Sequence, residues 1–261
     1  MIVAGCDVGS LTAKAVVIEN GVILGSEVIR SRPDPVLSAT GVMDRLLGNL
    51  GLSYSDIARC VSTGYGRNLV PFARANLSEI SCHGRGAVWL MPGVRTVIDG
   101  GGQDYKILRV NGKGLLQKFH TTGKCAAGTG RALELMAESL GVDVSELGPL
   151  SLRSTKPALL NRTCPVINEI EIKRLVVNGV DAADIAAGIA RSVAEFVMKL
   201  LDRFDVEKDI TATGGIAKNI GVVKQLKEMM GVEFVELPAD PQLIGAIGAA
   251  VFAADQLTGG C

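Results

Sequence analysis

The chain has 261 residues with 27 basic and 27 acidic side chains, a formal net charge of zero at pH 7, 48% hydrophobic residues and 4% aromatic residues. Balanced charge gives no electrostatic reason to expect binding to nucleic acid or to an anionic membrane surface, and so few aromatic rings argue against a base-stacking platform. The length allows one large α/β domain or two small ones.

The N-terminal segment MIVAGCDVGS has no basic region and enters a strand pattern at once, which argues against a secretory signal peptide. No apolar run reaches the roughly 18 residues that a membrane-spanning helix needs. We therefore expect a cytoplasmic protein whose partners are neither a membrane nor a nucleic acid.

The predicted elements of the first third begin with a β-hairpin. Strands are expected at 2–8, 13–19, 22–28 and 59–64. Asn20 and Gly21 are typical of a two-residue hairpin turn. Helices are expected at about 36–50 and over much of 76–90.

The same three-strand pattern returns after residue 93, with Asn111 and Gly112 at the turn. Strands are expected at 94–99, 105–110, 115–119 and 232–237, and residues 209–215 are expected to form a strand followed by a glycine turn. Helices are expected at 126–141, 165–178, 181–203, 221–230 and 241–255. Asp240 and Pro241 are a typical cap and first-turn proline for the final helix.

The two hairpins carry the same motif. The pattern D-x-G-x₄-K occurs at residues 7–14 and again at 99–106, an offset of 92 residues, and each copy leads through a β-rich run to Asn-Gly. This spacing indicates an internal repeat. An ordinary glycine hairpin is the alternative for either copy taken alone.

The repeated motif suits a phosphate. Glycines at a hairpin turn let backbone N–H groups approach phosphate oxygens, and an aspartate at the strand end can hold Mg²⁺ directly or through water. Two such turns can hold one triphosphate from both sides. A third glycine turn, TATGGIAKN at 211–219, can present backbone to a nucleoside. It matches neither the P-loop nor the GxGxxG pattern, so those two nucleotide-binding folds are not expected.

Several segments also resemble a known group of proteins. GCDVGSLTAKAVV, DGGGQD and ATGGIAKN resemble the phosphate and adenosine motifs of the actin-like ATPase superfamily. VSTGYGRN, EISCHGRGA, VRTVIDGGGQD and KCAAGTGR resemble the ATPase family of 2-hydroxyacyl-CoA dehydratase activators and benzoyl-CoA reductase ATPase subunits, over about residues 2–255. The resemblance implies an α/β actin-like fold of two similar halves, 1–95 and 96–261, with the nucleotide between them and helix 241–255 packed back on the first half.

The resemblance also implies ATP or ADP and Mg²⁺ as ligands. The residues expected to act in catalysis are Asp7, which also holds Mg²⁺, Asp99, Gln103 and Asp104. The residues expected around the phosphates are Ser10, Leu11, Thr12, Ala13, Lys14, Gly101 and Gly102. Those expected at the nucleoside are Gly214, Gly215, Lys218 and Asn219. Leu11 departs from the family, where Ser or Thr is common at this position.

Two of the six cysteines, Cys125 and Cys164, each directly precede a predicted helix. The partial positive charge of a helix N-terminus lowers a thiol pKa and favours the metal-binding thiolate. An iron–sulfur cube usually takes four thiolates, so two per chain suggest two chains around a two-fold axis. Their 39-residue separation alone also fits two unrelated buried cysteines. The resemblance implies that they bind one [4Fe–4S] cluster between identical subunits.

The implied activity is ATP-driven electron transfer at low potential. Ferredoxin or flavodoxin would reduce the cluster, and an iron–sulfur dehydratase or reductase component would accept the electron. The run PVINEIE after Cys164 departs from the family and leaves the partner's substrate open. A small-molecule kinase and a non-catalytic iron–sulfur scaffold are the alternatives. We expect His83 and His120 to be structural, with Glu79 and His83 paired on one helix face.

Overall fold

The computed structural model describes residues 1–123, 128–160 and 165–259. Within these ranges, no helix is both long enough and apolar enough to cross a membrane. The chain forms two sheets with helices packed around and between them.

The first sheet comes from the N-terminal third. Its strands are β1 (Ile2–Val8), β2 (Thr12–Glu19), β3 (Val22–Arg30), β4 (Arg59–Thr63) and β5 (Ala75–Asn76), in the order β3-β2-β1-β4-β5. Strand β1 is antiparallel to β2 and parallel to β4. Asn20 and Gly21 both have positive φ, 50° and 83°, so the predicted Asn-Gly turn is confirmed. The helices of this part are α1 (Pro35–Leu50) and α2 (Glu79–Leu90).

The second sheet repeats this arrangement. Its strands are β6 (Thr96–Gly100), β7 (Tyr105–Val110), β8 (Leu116–Thr121) and β9 (Ile210–Thr213), in the order β8-β7-β6-β9. Strand β6 is antiparallel to β7 and parallel to β9. The helices are α3 (Gly130–Leu140), α4 (Leu147–Ser151), α5 (Pro165–Val177), α6 (Ala182–Leu201), α7 (Ile220–Met230) and α8 (Ile244–Thr258).

The register of the strands confirms the internal repeat. Asp7 lies opposite Lys14 across β1 and β2, and Asp99 lies opposite Lys106 across β6 and β7. Even the irregularities coincide, because the β-bulges fall after Val17 and Arg109, which are also 92 residues apart. The repeat is therefore a repeat of backbone geometry as well as of sequence.

Two local predictions are corrected. The strand expected at 232–237 does not form, because Val235 N donates to Ile210 O at 2.7 Å but the Val235 carbonyl accepts from the Thr211 side chain at 2.8 Å. The hydrogen bond from the Thr211 side chain thus takes the place of the backbone hydrogen bond that would continue the β-ladder. The turn after β7 is longer than Asn-Gly, since Asn111 N bonds Leu115 O and the Asn111 side chain accepts from the amides of residues 113 and 115.

The helix boundaries differ in smaller ways. Helix α4 was not expected, because five residues are too few to show a helical period. Asp240 caps a single 3₁₀ turn at Pro241–Leu243, and α8 begins only after it. The first residues of the helix expected at 126–141 include 126 and 127, which lie outside the described residues; α3 is helical from Gly130.

A crossing pair of helices lies between the two sheets. Helix α2 contacts strands β6, β7 and β8 of the second sheet, and α8 contacts β1, β2 and β4 of the first. Their buried side chains form one apolar cluster with residues of both sheets. The division of the chain at residues 95 and 96 stays a prediction.

The crossing of α2 and α8 requires glycine. A Cβ on Gly248 would lie 1.8 Å from the Cys82 carbonyl oxygen, and a Cβ on Gly86 would lie 2.3 Å from the Ile244 carbonyl oxygen. On the other side of α8, a Cβ on Gly5 of β1 would lie 2.0 Å from the Ala246 carbonyl oxygen. The backbone of α8 is therefore in direct contact with the backbones of α2 and β1, which brings the ends of the two sheets together.

We expect Gly248→Ala to lower the free energy of unfolding by about 1–3 kcal/mol, because the added methyl group must push α2 and α8 apart. The measurement is chemical denaturation followed by circular dichroism. Gly48→Ala is the control, since Gly48 lies in α1 and a Cβ there meets nothing within 4 Å. The control variant should be unchanged or up to about 1 kcal/mol more stable. Equal effects of the two substitutions would contradict a tight crossing.

Candidate functional site

A small cavity of about 60 Å³ opens where the two hairpins face each other. Glycine turns after β1 and β6 form two of its walls, and the start of α2 forms a third. The residues around it are Asp7, Gly9, Ser10, Leu11, Thr12, Lys14, Tyr65, Glu79, His83, Asp99, Gly101, Gly102, Asp104, Gly130, Gly214, Gly215 and Gln242. The repeat thus brings two copies of one motif to a single place.

Asp7 lies at the end of β1 and is almost fully buried. Its Oδ2 accepts from Lys14 Nζ at 3.0 Å, the cross-strand partner that the repeat predicts. Its Oδ1 has no hydrogen-bond partner among the residues that the structure describes. A buried carboxylate oxygen without a donor is costly, so this atom is suited to a ligand.

Asp99 occupies the equivalent position in β6 and has more partners. Thr213 Oγ1 donates to its Oδ1 at 3.2 Å, and His83 Nδ1 lies 3.4 Å from the same oxygen. Burial raises the pKa of the Asp99 carboxyl, but His83 and Lys106 lower it by more. The pKa of Asp99 therefore lies below its ordinary value. Within the described ranges, Oδ2 has no hydrogen-bond partner, although Lys106 Nζ lies 3.6 Å away.

Lys106 ties the carboxylates of the second half together. Its Nζ lies 2.7 Å from Asp104 Oδ1 and 3.4 Å from Glu79 Oε1. Burial works against its charge, but Asp99, Glu79 and Asp104 raise its pKa above the ordinary value, so it stays protonated. Tyr65 OH donates to Asp104 Oδ2 at 3.0 Å, and burial together with Asp104 raises the pKa of Tyr65 to about 12.

The cavity carries an excess of negative charge. In the described part of the chain, four carboxylates (Asp7, Glu79, Asp99 and Asp104) line the cavity, and two lysines, Lys14 and Lys106, pair with them; these six side chains together carry a charge of −2 when all are ionised. A divalent cation would neutralise this excess. The unpartnered oxygens of Asp7 and Asp99 are hard carboxylate ligands of the kind that Mg²⁺ prefers, so these residues fit a magnesium ion.

A second set of possible ligand atoms lies beside this pair. One ligand atom from each of Glu79, His83 and Asp99 lies within 4.8 Å of the others. Because Mg²⁺ takes oxygen ligands, the imidazole fits that metal less well than the aspartates do. His83 instead bonds Thr213 through Nδ1 at 3.0 Å, and its Nε2 faces the backbone of α8 at Gly245.

A second repeated feature, a glycine after a strand, lies beside each aspartate. Strands β4 and β9 each end at a threonine that is followed by glycine, and the glycines have positive φ, 87° at Gly64 and 79° at Gly214. A Cβ on Gly64 would lie 2.4 Å from Asp7 Oδ1, and one on Gly214 would lie 2.6 Å from Asp99 Oδ1. Glycine leaves room beside both oxygens, where a Cβ would clash. The Thr-Gly dipeptide after a strand in each half was the signal that could have identified Gly64.

The two glycine loops, after β1 and after β6, contact each other and the start of α3. A Cβ on Gly102 would lie 2.7 Å from Leu11 Cγ, so the first loop rests on the second. The backbone N–H groups of Gly130 and Arg131 donate to the carbonyls of Gly101 and Gly102, each at 3.0 Å. Any movement of the second loop therefore acts directly on α3.

Most of the residues predicted from the sequence line this cavity. Those that lie outside its lining are Ala13, Gln103, Lys218 and Asn219. Ala13 points into the apolar cluster under α1, because alternate residues of β2 face opposite sides of the sheet. Lys218 pairs with Asp240 at 2.7 Å, and the Asn219 side chain caps α7. Their roles in nucleotide binding stay predictions.

Other residues of the site were not foreseen. Glu79, His83 and Tyr65 were not predicted to face the phosphates, although Glu79 and His83 had been paired on one helix face. Gln242 also reaches the cavity, where its amide donates to Thr12 Oγ1 at 3.2 Å. Cys125 and Cys164 lie outside the described residues.

A larger cavity, of about 810 Å³, lies away from this cluster, between α7 and residues 231–237. None of the residues predicted to bind phosphate lines it. We place the candidate functional site at the smaller cavity, because among the described residues it is there that buried charges from both repeats converge.

The family model described as "BadF/BadG/BcrA/BcrD ATPase family" matches residues 4–253. The chain is 40% identical to a 2-hydroxyisocaproyl-CoA dehydratase activator of Clostridioides difficile, over 98% of this chain and 96% of the relative. It is also 40% identical to an (R)-2-hydroxyglutaryl-CoA dehydratase activating ATPase of Acidaminococcus fermentans, with 95% of each covered. A benzoyl-CoA reductase subunit of Thauera aromatica is 31% identical, over 97% of this chain and 93% of the relative.

Solved structures agree with these relatives. The activator of the 2-hydroxyisocaproyl-CoA dehydratase from Clostridium difficile with bound ADPNP superposes with a TM-score of 0.95 at 40% identity, covering 99% of this chain and 96% of that one. A ROK family glucokinase from Streptomyces griseus, at 13% identity, has a TM-score of 0.57 and covers 98% of this chain and all of the other. The second likeness shows the fold alone, and the predicted actin-like α/β fold is confirmed.

We expect Mg²⁺ to stabilise the protein through this site, by about 2.7 kcal/mol at a concentration one hundred times its dissociation constant. Asp99→Asn should remove most of this gain, because it removes one of the two unpartnered carboxylate oxygens while Lys106 keeps Asp104 and Glu79 as partners. The measurement is thermal unfolding with and without Mg²⁺.

Asp205→Asn is the matched control, since Asp205 is a largely exposed aspartate that pairs with Arg109 outside the cavity. It should keep the full response to Mg²⁺. An equal response in the Asp99 variant and in the unsubstituted protein would place the ion elsewhere.

Proposed function

Because this chain belongs to the BadF/BadG/BcrA/BcrD ATPase family, we propose that it hydrolyses ATP to drive a low-potential electron into an iron–sulfur partner of the 2-hydroxyacyl-CoA dehydratase type. The observation that carries the proposal is the pair of buried aspartates, Asp7 and Asp99, held face to face by two copies of one hairpin. A triphosphate and its metal would lie between them.

The chain's own residues have distinct parts in this proposal. The backbone at Gly9, Gly101 and Gly102 would approach the phosphates, and Lys14 would offset their charge. Asp7 and Asp99 would hold Mg²⁺, which supplies charge neutralisation of the transferred phosphoryl group. The nucleoside would reach the turn at Gly214 and Gly215, after β9.

The small size of the cavity supports a conformational step. About 60 Å³ is far below the roughly 300–1,000 Å³ of typical ligand pockets, so in this proposal the two loops separate to admit a triphosphate. Leu11 would then move away from Gly102. Because the carbonyls of Gly101 and Gly102 hold the first amides of α3, nucleotide binding would shift that helix.

The proposed [4Fe–4S] cluster would be held by Cys125 and Cys164. Both lie outside the described residues, but the helices that follow them, α3 and α5, contact each other. Three other cysteines are poor candidates because they are buried. Burial raises the pKa of Cys6, and it raises the pKa of Cys60 and of Cys82 to about 12, which disfavours the thiolate.

An apolar stripe on α5 supports the proposed homodimer. Ile167, Ile170 and Val177 have exposed fractions of 44%, 66% and 85%, and their spacing of three and then seven residues places them on one face of the helix. An exposed apolar face beside a candidate ligand fits an interface between two copies. A cluster shared by two chains would lie at the end of such an interface.

The electron donor rests on the sequence resemblance alone, and ferredoxin or flavodoxin stays its predicted identity. The cytoplasm, expected from the N-terminal segment and from the lack of a long apolar run, stays the predicted location. The likeness to a benzoyl-CoA reductase component supports a ring reductase as a second candidate for the partner.

We expect steady ATP hydrolysis by the purified protein, and a loss of about 100-fold or more in Asp7→Ala and in Asp99→Ala, since each removes a charge that holds the metal at the phosphates. Phosphate release measures the rate, and circular dichroism checks the fold. Parent-like turnover in both variants would overturn the assignment of the aspartates. The function itself is tested by adding a 2-hydroxyacyl-CoA dehydratase anaerobically and measuring whether its activity requires both this protein and ATP.

We expect about four iron and four sulfide ions per two chains after anaerobic purification or reconstitution, because a cube takes four thiolates and each chain offers two. Cys125→Ser and Cys164→Ser should each lose the iron and keep most of their nucleotide affinity. Cys6→Ser and Cys60→Ser are the controls and should retain the iron. A full cube on a monomer, or no iron after reconstitution, would contradict the shared cluster.

A further inference from the structure

We propose that a cavity in the first part of the chain, away from the buried aspartates, binds a small aromatic carboxylate. This cavity has a volume of about 280 Å³ and is called the arginine cavity below. It is lined by residues of the segments 54–60 and 71–74, with Ala4 and Met43 beneath them. It shares no lining residue with the cavity between the two hairpins, so it would be a separate binding site.

The floor of the arginine cavity is apolar. Ala4 of β1, Met43 of α1 and Cys60 of β4 are all buried. Burial raises the pKa of the Cys60 thiol to about 12, so this side chain is uncharged and would not repel an anion. A ligand would therefore place an apolar body against the floor, which favours an organic molecule over a bare inorganic ion.

Two aromatic rings line the same cavity. The ring centroids of Tyr54 and Phe72 lie 5.2 Å apart, with 47° between the ring planes. The Tyr54 hydroxyl donates to Asp44 Oδ1 at 2.7 Å, which ties its ring to α1. Burial and Asp44 raise the pKa of Tyr54, so the hydroxyl stays a neutral donor. Because aromatic rings pack well against one another in tilted or offset pairs, this wall favours a flat ligand.

Hydrogen bonds hold both walls of the arginine cavity in place. Arg74 N donates to the Cys60 carbonyl at 2.9 Å, which anchors the segment 71–74 on β4. On the other wall, Ala58 N donates to the Ile2 carbonyl at 2.9 Å. A ligand would thus enter a site that is already formed, so binding would require little ordering of the chain.

The charged side chains that line the arginine cavity are those of Arg59 and Arg74. Among the described residues, neither guanidinium group has a hydrogen-bond or ion-pair partner, and no acidic residue lines the cavity. The acidic side chains of the adjoining segments are already engaged, since Asp44 accepts from Tyr54 and Asp56 accepts from the Ser53 amide. Arginine offers a planar set of N–H donors that matches a carboxylate, so this pair favours an anionic ligand.

The size of the arginine cavity limits the ligand further. Its volume lies just below the roughly 300–1,000 Å³ of pockets for drug-sized molecules. One aromatic ring with one carboxylate suits this space better than a nucleotide or a coenzyme. The cavity between the hairpins is lined by four carboxylates and would not take the same anion.

The test titrates salicylate into the purified protein by isothermal calorimetry, beside salicylamide, which has a neutral amide on the same ring. We expect one salicylate per chain with a dissociation constant of about 1 mM or less, and binding of salicylamide about tenfold weaker or more, because the amide lacks the charge. Arg59→Gln and Arg74→Gln should each weaken salicylate binding by about tenfold, since each removes donors to a charged group. Circular dichroism checks that both variants fold, and the exposed Arg74 keeps the test valid if the half-buried Arg59 is needed for stability.

Arg153→Gln is the matched control and should bind salicylate as the parent does. Arg153 is an exposed arginine that does not line the arginine cavity. Absence of saturable salicylate binding below about 10 mM, or unchanged affinity in both cavity variants, would overturn the site. Equal binding of salicylamide would overturn the role of the arginines. Inorganic phosphate that binds as tightly as salicylate, through the same arginines, would overturn the aromatic carboxylate as its ligand.

Discussion

Burying Asp7 and Asp99 at the ends of two central strands costs several kcal/mol of desolvation for each charge, and much of the structure serves to offset that cost. The cross-strand lysine in each hairpin supplies a positive charge at the matching position. Glycine with positive φ at the end of the neighbouring parallel strand leaves room beside each carboxylate. One oxygen of each aspartate still has no hydrogen-bond partner in the described ranges, so the protein by itself offsets the desolvation cost only in part. That incompleteness makes the place suited to a divalent cation.

The repeat is symmetric in backbone and asymmetric in chemistry. Asp7 has Lys14 as its only hydrogen-bond partner in the described ranges, whereas Asp99 has Thr213, His83 and Lys106 around it. The equivalent threonine of the first half, Thr63, turns away and donates to the Leu77 carbonyl at 3.0 Å. The acid-rich side of the cavity is thus the second half together with α2. The two halves therefore bring different charges and hydrogen-bond partners to one cavity, although their backbones match.

The link between the site and the rest of the molecule is short. Two backbone hydrogen bonds join the glycine loop after β6 to the start of α3, and Arg30 at the end of β3 pairs with Glu134 on the same helix. Helix α3 therefore has a direct contact with each half close to the cavity. Small changes in the separation of the hairpins are transmitted to it through packed and hydrogen-bonded groups, without any long path through the core.

The sequence by itself determined the local elements and the repeat. Period-two and period-3.6 patterns predicted the hairpins and most of the helices, because those patterns depend on neighbours within a few residues. The spacing of Asp7, Asp99 and their lysines predicted the site, since cross-strand pairing follows from the hairpin register. Only the tertiary structure decided that α2 and α8 cross between the sheets and that Glu79, His83 and Tyr65 reach the cavity. It also decided that residues 232–237 stay out of the sheet, because the Thr211 side chain takes a bond that the ladder would have used. These outcomes depend on contacts between segments tens to more than a hundred residues apart, which no local pattern encodes.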